Sequence, residues 1–406
     1  MRELLRPVGD PVYRRLFSAQ VIALVGTGLS TVALALLAFD LAGDDAGVVL
    51  GFALALKMFA YVTVSPVVTA LTRNTSRRRL LVGLDLARAG LVLLIPFVDS
   101  IWQVFVLIFL LNACSAGFTP TFQAAIPDVL TDADTYTEAL SLSRLAYDLE
   151  ALLSPVLAAA LLGWVSYDAL FSLNGVAFVV SAAIVALTAI PQPRSSRDAG
   201  GPFRRITAGT RRYLRTPRLR GLFALNFVVA CAGAMVLVNT VVYVKEDFGL
   251  GDAAVAWGLA VAGLGSMVAA LLLPALLARI EDRSVMLAGG FLLVLGLASG
   301  VLVSAYSSLI ICWLVLGLGL SLVQTPAGRL IRRSANPTGR PALFAAQFSL
   351  SHLFWLFTYP LAGLAGQTLG LAATSGLLAC VALIAVLLAA WTWPRETAGR
   401  LRQRPT

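Results

Sequence analysis

"ALSLSRLAYDLEALLSPVLA", Ala139–Ala158, decides the fold, because it holds Arg144, Asp148 and Glu150 inside a run that stays apolar as far as Trp164. A soluble helix would stop sooner. The chain around it has 406 residues, 59% hydrophobic and only 13% charged, with a mean hydropathy of +0.86. No soluble domain of this length carries so much apolar surface without a bilayer to cover it. Crossing the hydrocarbon takes roughly 20 apolar residues at about 1.5 Å each. On that measure the sequence holds twelve candidate spans: 16–39, 47–71, 80–98, 101–123, 139–164, 167–190, 221–244, 253–277, 285–303, 306–328, 342–366 and 370–393. The first run is too long for a cleavable signal and lacks a small-residue cleavage site, so it is expected to stay in the mature protein.

The basic charge, +10 net, follows the membrane and not nucleic acid. With a cytoplasmic N-terminus, 27 of the 31 Lys and Arg fall before span one, after spans two, eight and ten, in the central linker and in the tail. Outside loops hold only Lys245, and Lys57, Arg88 and Arg144 lie within spans. The positive-inside rule then places both termini in the cytoplasm, which requires an even number of spans. The linker "PQPRSSRDAGGPFRRITAGTRRYLRTPRLRG", Pro191–Gly221, separates six spans from six, with room for a short surface helix near Phe203–Leu214. Three units result: 1–190, a basic connector 191–220, and 221–406.

The two sets of six resemble each other at an offset of about 205 residues. "ALSLSRLAYDLEALLSPVLA" in span five answers "ALFAAQFSLSHLFWLFTYPLA" in span eleven, Pro155 falling on Pro360, and Pro120 falls near Pro326. A parallel repeat of this kind is the layout of a transporter whose site lies between the halves near the midplane. With the Arg-rich loop "RNTSRRRLL" after span two and a proline in span five, the chain resembles the major facilitator superfamily along nearly its whole length. The run from Phe118 through Leu161 is similar to the branch of macrolide and siderophore exporters. "SLSRLAYDLEALLSP", "RPALFAAQFSLSH" and "TYPLAG" resemble bacterial exporters linked to nickel or cobalt resistance. The resemblance implies an all-α integral membrane protein, twelve helices in two pseudo-symmetric bundles of six. Of the superfamily's loop signature, Gly-x-x-x-Asp-Arg-x-Gly-Arg-Arg, only Arg77, Arg78 and Arg79 survive; Thr69, Arg73 and Asn74 stand at its Gly, Asp and Arg positions. In the copy after span eight, Glu281, Asp282 and Arg283 are available as a substitute.

Ionisable groups at membrane depth are costly, so each one is a functional expectation. Arg144 and Asp148 are four apart and share a helix face, which allows a structural pair or a gate. Glu150 lies about 120° away in azimuth and near mid-span, where desolvation favours the neutral carboxyl. Such a group suits proton or cation coupling, or else it pairs with another helix. Lys57 is too deep in span two to snorkel, leaving a pair with Glu150 or a substrate anion. His352, the single histidine, is either a proton carrier, a metal ligand or a packing residue. The fold resemblance implies that spans two and eleven are neighbours, which brings Lys57 and His352 close. Asp85 and Arg88, three apart, are expected to pair, with the Arg77–Arg79 loop as a further partner.

The resemblance further implies that spans one, four, seven and ten line the cavity. They offer Gln20, Thr27, Ser30 and Thr31; Asn112, Ser115, Thr119 and Gln123; Asn226 and Asn239; Gln324 and Thr325. Uncharged amides and hydroxyls suit a neutral or amphiphilic organic molecule. Cys114, Cys231 and Cys312 fall on three of the same spans, and thiolates suit a late transition metal, so metal cargo stays open. The four cysteines form no CxxC pair. No phosphate-binding loop, HExxH or GxSxG is present, so neither ATP use nor an enzyme is indicated, and no cofactor is expected. The reading is a proton-driven bacterial inner-membrane exporter, an antiporter acting as a monomer, with a lipid flippase as a remoter alternative.

Overall fold

In the computed structural model, residues 4–42, 46–72, 74–192 and 202–395 are described. They form α1 (Pro11–Ala42), α2 (Ala46–Leu71), α3 (Arg77–Leu94), α4 (Ile101–Val129), α5 (Ala133–Leu162), α6 (Tyr167–Ala186) and α7 (Pro202–Arg215). There follow α8 (Pro217–Val242), α9 (Asp252–Arg279), α10 (Asp282–Ser299), α11 (Tyr306–Gln324), α12 (Ala327–Ser334), α13 (Arg340–Leu369) and α14 (Leu371–Thr392). A bilayer narrows the choice to helices or a closed barrel, and only a helix satisfies its backbone groups within a single segment. Among the described residues, eleven helices are long and apolar enough to cross. The remaining long helix is α13, whose Gln347, Ser349, Ser351, His352 and Thr358 dilute its hydropathy although its 30 residues are ample to span. The predicted span over 306–328 is interrupted: α11 ends at Gln324, and α12 starts after the turn at Thr325–Pro326.

Helix pairing repeats between the halves. In the first, α1 packs on α5 and α6, α2 on α4, and α3 on α4 and α6. In the second, α8 packs on α13 and α14, α9 on α11, and α10 on α11 and α14. The largest cross-half contacts are α2 with α13 and α5 with α9, which are equivalent under the repeat; α4 also packs on α13.

The linker helix α7 differs from the expected surface helix. Gly209 sits so close to α13 that a Cβ there would collide with the Ala342 carbonyl, and Tyr213 is fully buried, its hydroxyl donating to Gln347 Oε1. It touches both α2 and α13, and so both halves. Burial pushes the Tyr213 phenol well above its ordinary pKa.

Candidate functional site

The arginine-rich end is closed by charge. Ser76 caps α3 by accepting from the Arg79 backbone N–H, and Arg77 in the first turn reaches Asp128 at the end of α4 at 2.7 Å. Asp128 also takes Arg340 from the start of α13, so one carboxylate ties the halves together. Arg78 and Arg79 are exposed. Asp282 does serve as the acid of the second copy: it holds Arg329 at 2.9 Å and Arg333. Arg332 crosses to the other half, donating to the Thr131 carbonyl and, at 3.2 Å, to the Asp132 carbonyl, with its guanidinium 5.1 Å from the Tyr136 ring. Arg329 donates to Thr137 Oγ1 across the same interface.

Deeper in the bundle, two expected pairs form. Arg144 grips Asp148 through Nη2 at 3.1 Å and Nε at 3.2 Å, and also donates to Ser266 of α9 and Gln324 of α11, both at 2.8 Å. The pair therefore reaches across to the other half and is not confined to α5. Asp85 pairs with Arg88 and accepts from Ser181 at 2.8 Å. Its expected partner among Arg77–Arg79 is absent, because Arg77 is committed to Asp128. The Arg88 guanidinium lies between Phe118 at 4.1 Å and Phe178 at 4.4 Å, inside the first bundle.

Glu150 belongs to a stripe on α5: Ser143, Tyr147, Glu150 and Ser154 share one face at helical spacing. The stripe packs on α1. Ser143 donates to Gln20 Oε1 at 3.4 Å, and Gln20 also hydrogen-bonds Tyr147. At Gly28 a Cβ would collide with Ser154 Oγ and come 2.6 Å from Glu150 Oε1, so the glycine is required by close approach. The carboxylate hydrogen-bonds Ser154 and feels Lys57 of α2 electrostatically. Lys57 Nζ lies 5.8 Å from the centre of the Tyr61 ring, and Tyr61 meets His352 edge-on at 4.8 Å. His352 Nδ1 donates to the Phe348 carbonyl at 2.6 Å, a bond within its own helix. Lys57 and His352 are thus near each other as expected, with Tyr61 between them. Sequence reasoning missed Tyr61, although it stands one helical turn from Lys57 on the same face.

Other expected cavity residues divide. Thr27 is exposed, Asn112, Ser115 and Thr119 are half-buried, and Gln324 is held by Arg144. Ser30 faces α6, accepting from Asn174 at 2.7 Å. Asn226 and Asn239 are both buried and join α8 to α13, through Gln347 at 3.3 Å and the Ala362 carbonyl at 3.2 Å. An amide can satisfy itself in a helix crossing as readily as in a cavity. Cys231 lies in the core of the second half, and Cys312 donates to the Gly296 carbonyl at 3.1 Å. Cys114 is half-buried on α4. Among the described residues, no three His, Cys, Asp or Glu converge into a group able to hold a metal.

The sequence profile of the Major Facilitator Superfamily matches residues 16–240 and 222–406. The MFS-type transporter YfiS of Bacillus subtilis (strain 168) is 24% identical over 333 residues, 78% of each chain. Macrolide efflux protein A of Streptococcus pyogenes is 24% identical over 182 residues, 44% of each chain. Among solved structures, the human organic anion transporter MFSD10 superposes with a TM-score of 0.80 at 14% identity, over 93% of this chain and 98% of that one. A bacterial homologue of the iron transporter ferroportin, in an outward-facing state, gives 0.74 at 15% identity, over 94% and 98%. The profile spans both halves and the fold is shared, so this chain is a member of the major facilitator superfamily, a multi-pass membrane transporter and not an enzyme.

Proposed function

We propose that this transporter is a proton-driven exporter of a small organic molecule in the bacterial inner membrane. The observation that carries the reading is Glu150: a half-buried carboxyl at membrane depth, wedged against Gly28, with no ion-pair partner within 4.0 Å among the described residues. A carboxylate so placed changes charge at low cost when its surroundings rearrange. Lys57 and His352 stand behind it as modulators. Asp128 with Arg77 and Arg340, and Arg144 with Asp148, act as gates, since the Asp128–Arg340 pair and the bonds of Arg144 to Ser266 and Gln324 cross between halves and must break for the halves to rock. Asp85 and Arg88 brace the first bundle.

In this reading residues 1–190 and 221–406 are the moving halves, 191–220 joins them, both termini are cytoplasmic and one chain suffices. The arginine-rich end is then the closed cytoplasmic end, and the protein faces outward. Likeness to a macrolide efflux protein supports export of an organic compound. The test is transport in vesicles with an imposed proton gradient. Glu150→Gln should abolish dependence on the gradient; gradient-driven transport at the wild-type rate in that variant would sink the assignment.

A further inference from the structure

At the arginine-rich end, the hydroxyl of fully buried Tyr136 has no hydrogen-bond partner among the described residues. It lies against the first turn of α12, where a Cβ at Gly328 would come 2.7 Å from its oxygen. A buried hydroxyl left unpaired is costly, so its retention calls for a partner.

The surroundings of that hydroxyl are basic. Arg329, Arg332 and Arg340, all from the second half, act electrostatically on Tyr136, and Arg332 feels the like charges of the other two. The acids at this end are already committed. Asp128 is shared by Arg77 and Arg340, Asp282 by Arg329 and Arg333, Glu138 pairs with Arg6 at 3.5 Å, and Asp132 caps α5. Arg332 donates to two backbone carbonyls in place of a carboxylate, and the buried Arg340 Nε has no hydrogen-bond partner among the described residues. A phenol and three guanidiniums therefore converge with donors to spare, and half-buried Arg332 opens the cluster to the surface. Guanidinium forks and a hydroxyl match the oxygens of a tetrahedral phosphate, whose charge relieves the repulsion among the arginines.

We propose that Tyr136, Arg332 and Arg340 form a binding site for a phosphate oxyanion. Tyr136 belongs to the first half and both arginines to the second, so the bound anion bridges the halves and favours the state in which this end is shut. The proposal needs the two-half fold, but neither the cargo nor the proton coupling proposed above. Inorganic phosphate and the headgroup of an acidic phospholipid share this chemistry.

Thermal melts of the full chain in phosphatidylcholine nanodiscs test it. In one arm inorganic phosphate is titrated at constant ionic strength; in the other phosphatidylglycerol replaces part of the phosphatidylcholine and no phosphate is added. A saturable rise in melting temperature is expected, in the first arm for a free ion and in the second for a headgroup. The half-effect concentration should increase about threefold or more in Tyr136→Phe and about tenfold or more in Arg332→Gln. It should stay at the wild-type value in Arg211→Gln, an exposed arginine of α7. Tyr136→Phe removes a hydroxyl that holds no bond, so it probes the site without loss of fold. No rise in either arm, or a rise with the wild-type midpoint in Tyr136→Phe or Arg332→Gln, would overturn the proposal. The melts involve no transport, so their failure leaves the exporter reading standing, and failure of gradient-driven transport leaves this site standing.

Discussion

Helices α5 and α13 occupy equivalent places in the two halves, and they present unlike chemistry at the same register. On α5 the inner stripe is hydroxyl, phenol, carboxyl and hydroxyl; on α13 it is phenyl, imidazole, indole and phenol. Their seams differ in the same sense: α5 meets α9 through Arg144 and Ser266, whereas α13 meets α2 through the Tyr61, Phe348 and His352 rings and the Ser349 hydroxyl donating to the Val62 carbonyl at 2.6 Å. The latches at the arginine-rich end even reverse sign. Arg77 and Asp128 occupy the positions of Asp282 and Arg333, so basic α3 meets acidic α4 in one half and acidic α10 meets basic α12 in the other. The repeat thus preserves backbone approach at the glycine crossings of Gly28 and Gly233, while side-chain identity differs between the two bundles.

The comparison breaks hardest at the glycine notches. Gly28→Val and Gly233→Leu should each destabilise the protein by about 3 kcal/mol or more, since both force a side chain into an occupied crossing. Thermal melts followed by size exclusion read this directly. A tolerated Gly28→Val would show that α1 and α5 are not held at that distance.

Next come the latches. Asp128→Asn leaves Arg77 and Arg340 without their acid, and removing one member of a buried pair costs about 3–5 kcal/mol. Exchanging Arg77 and Asp128 should fail to rescue, because Arg at 128 would face Arg340 across the halves. Melting the single and double variants separates a pair within one half from a latch between halves. Recovery of wild-type stability in the double variant would refute the cross-half role.

The seams give a smaller effect. Arg144→Gln should cost about 1–3 kcal/mol by leaving buried Asp148 short of its donors. Tyr61→Phe should cost under about 1 kcal/mol, as its ring supplies the contact to His352 and Phe348. Chemical denaturation of both variants checks the contrast between the two seams.

The smallest effect is at the helix start. Asp132 caps α5, accepting from the Thr135 backbone N–H at 2.8 Å, and that bond holds its carboxyl below the ordinary 3.8. Its stabilisation is complete above the unfolded value and is lost as pH falls through the lower folded value. Asp132→Ala should cost about 1 kcal/mol at neutral pH and less in acid, measured by melts across that range.

Much of this was readable from the sequence. Apolar runs of spanning length give the helices, and fixed i to i+3 and i to i+4 geometry gives Asp85–Arg88 and Arg144–Asp148. Asp128 was not readable, because its partners Arg77 and Arg340 come from distant helices and nothing local marks it. The helix-crossing bonds of Asn226 and Asn239 were not readable for the same reason, since an amide's partner is set by the crossing helix. The repeat holds more than the proline match alone. Carried from Pro155 and Pro360 to the glycines, the same offset pairs Gly28 with Gly233 and Glu150 with Trp355.

The central claim is that Glu150 couples transport to the proton gradient. It is tested most directly by reconstituting the wild type and Glu150→Gln side by side in vesicles and recording transport of an organic substrate with and without an imposed proton gradient. The account predicts gradient-stimulated transport in the wild type and none in Glu150→Gln. Gradient-stimulated transport at the wild-type rate in the variant would contradict it.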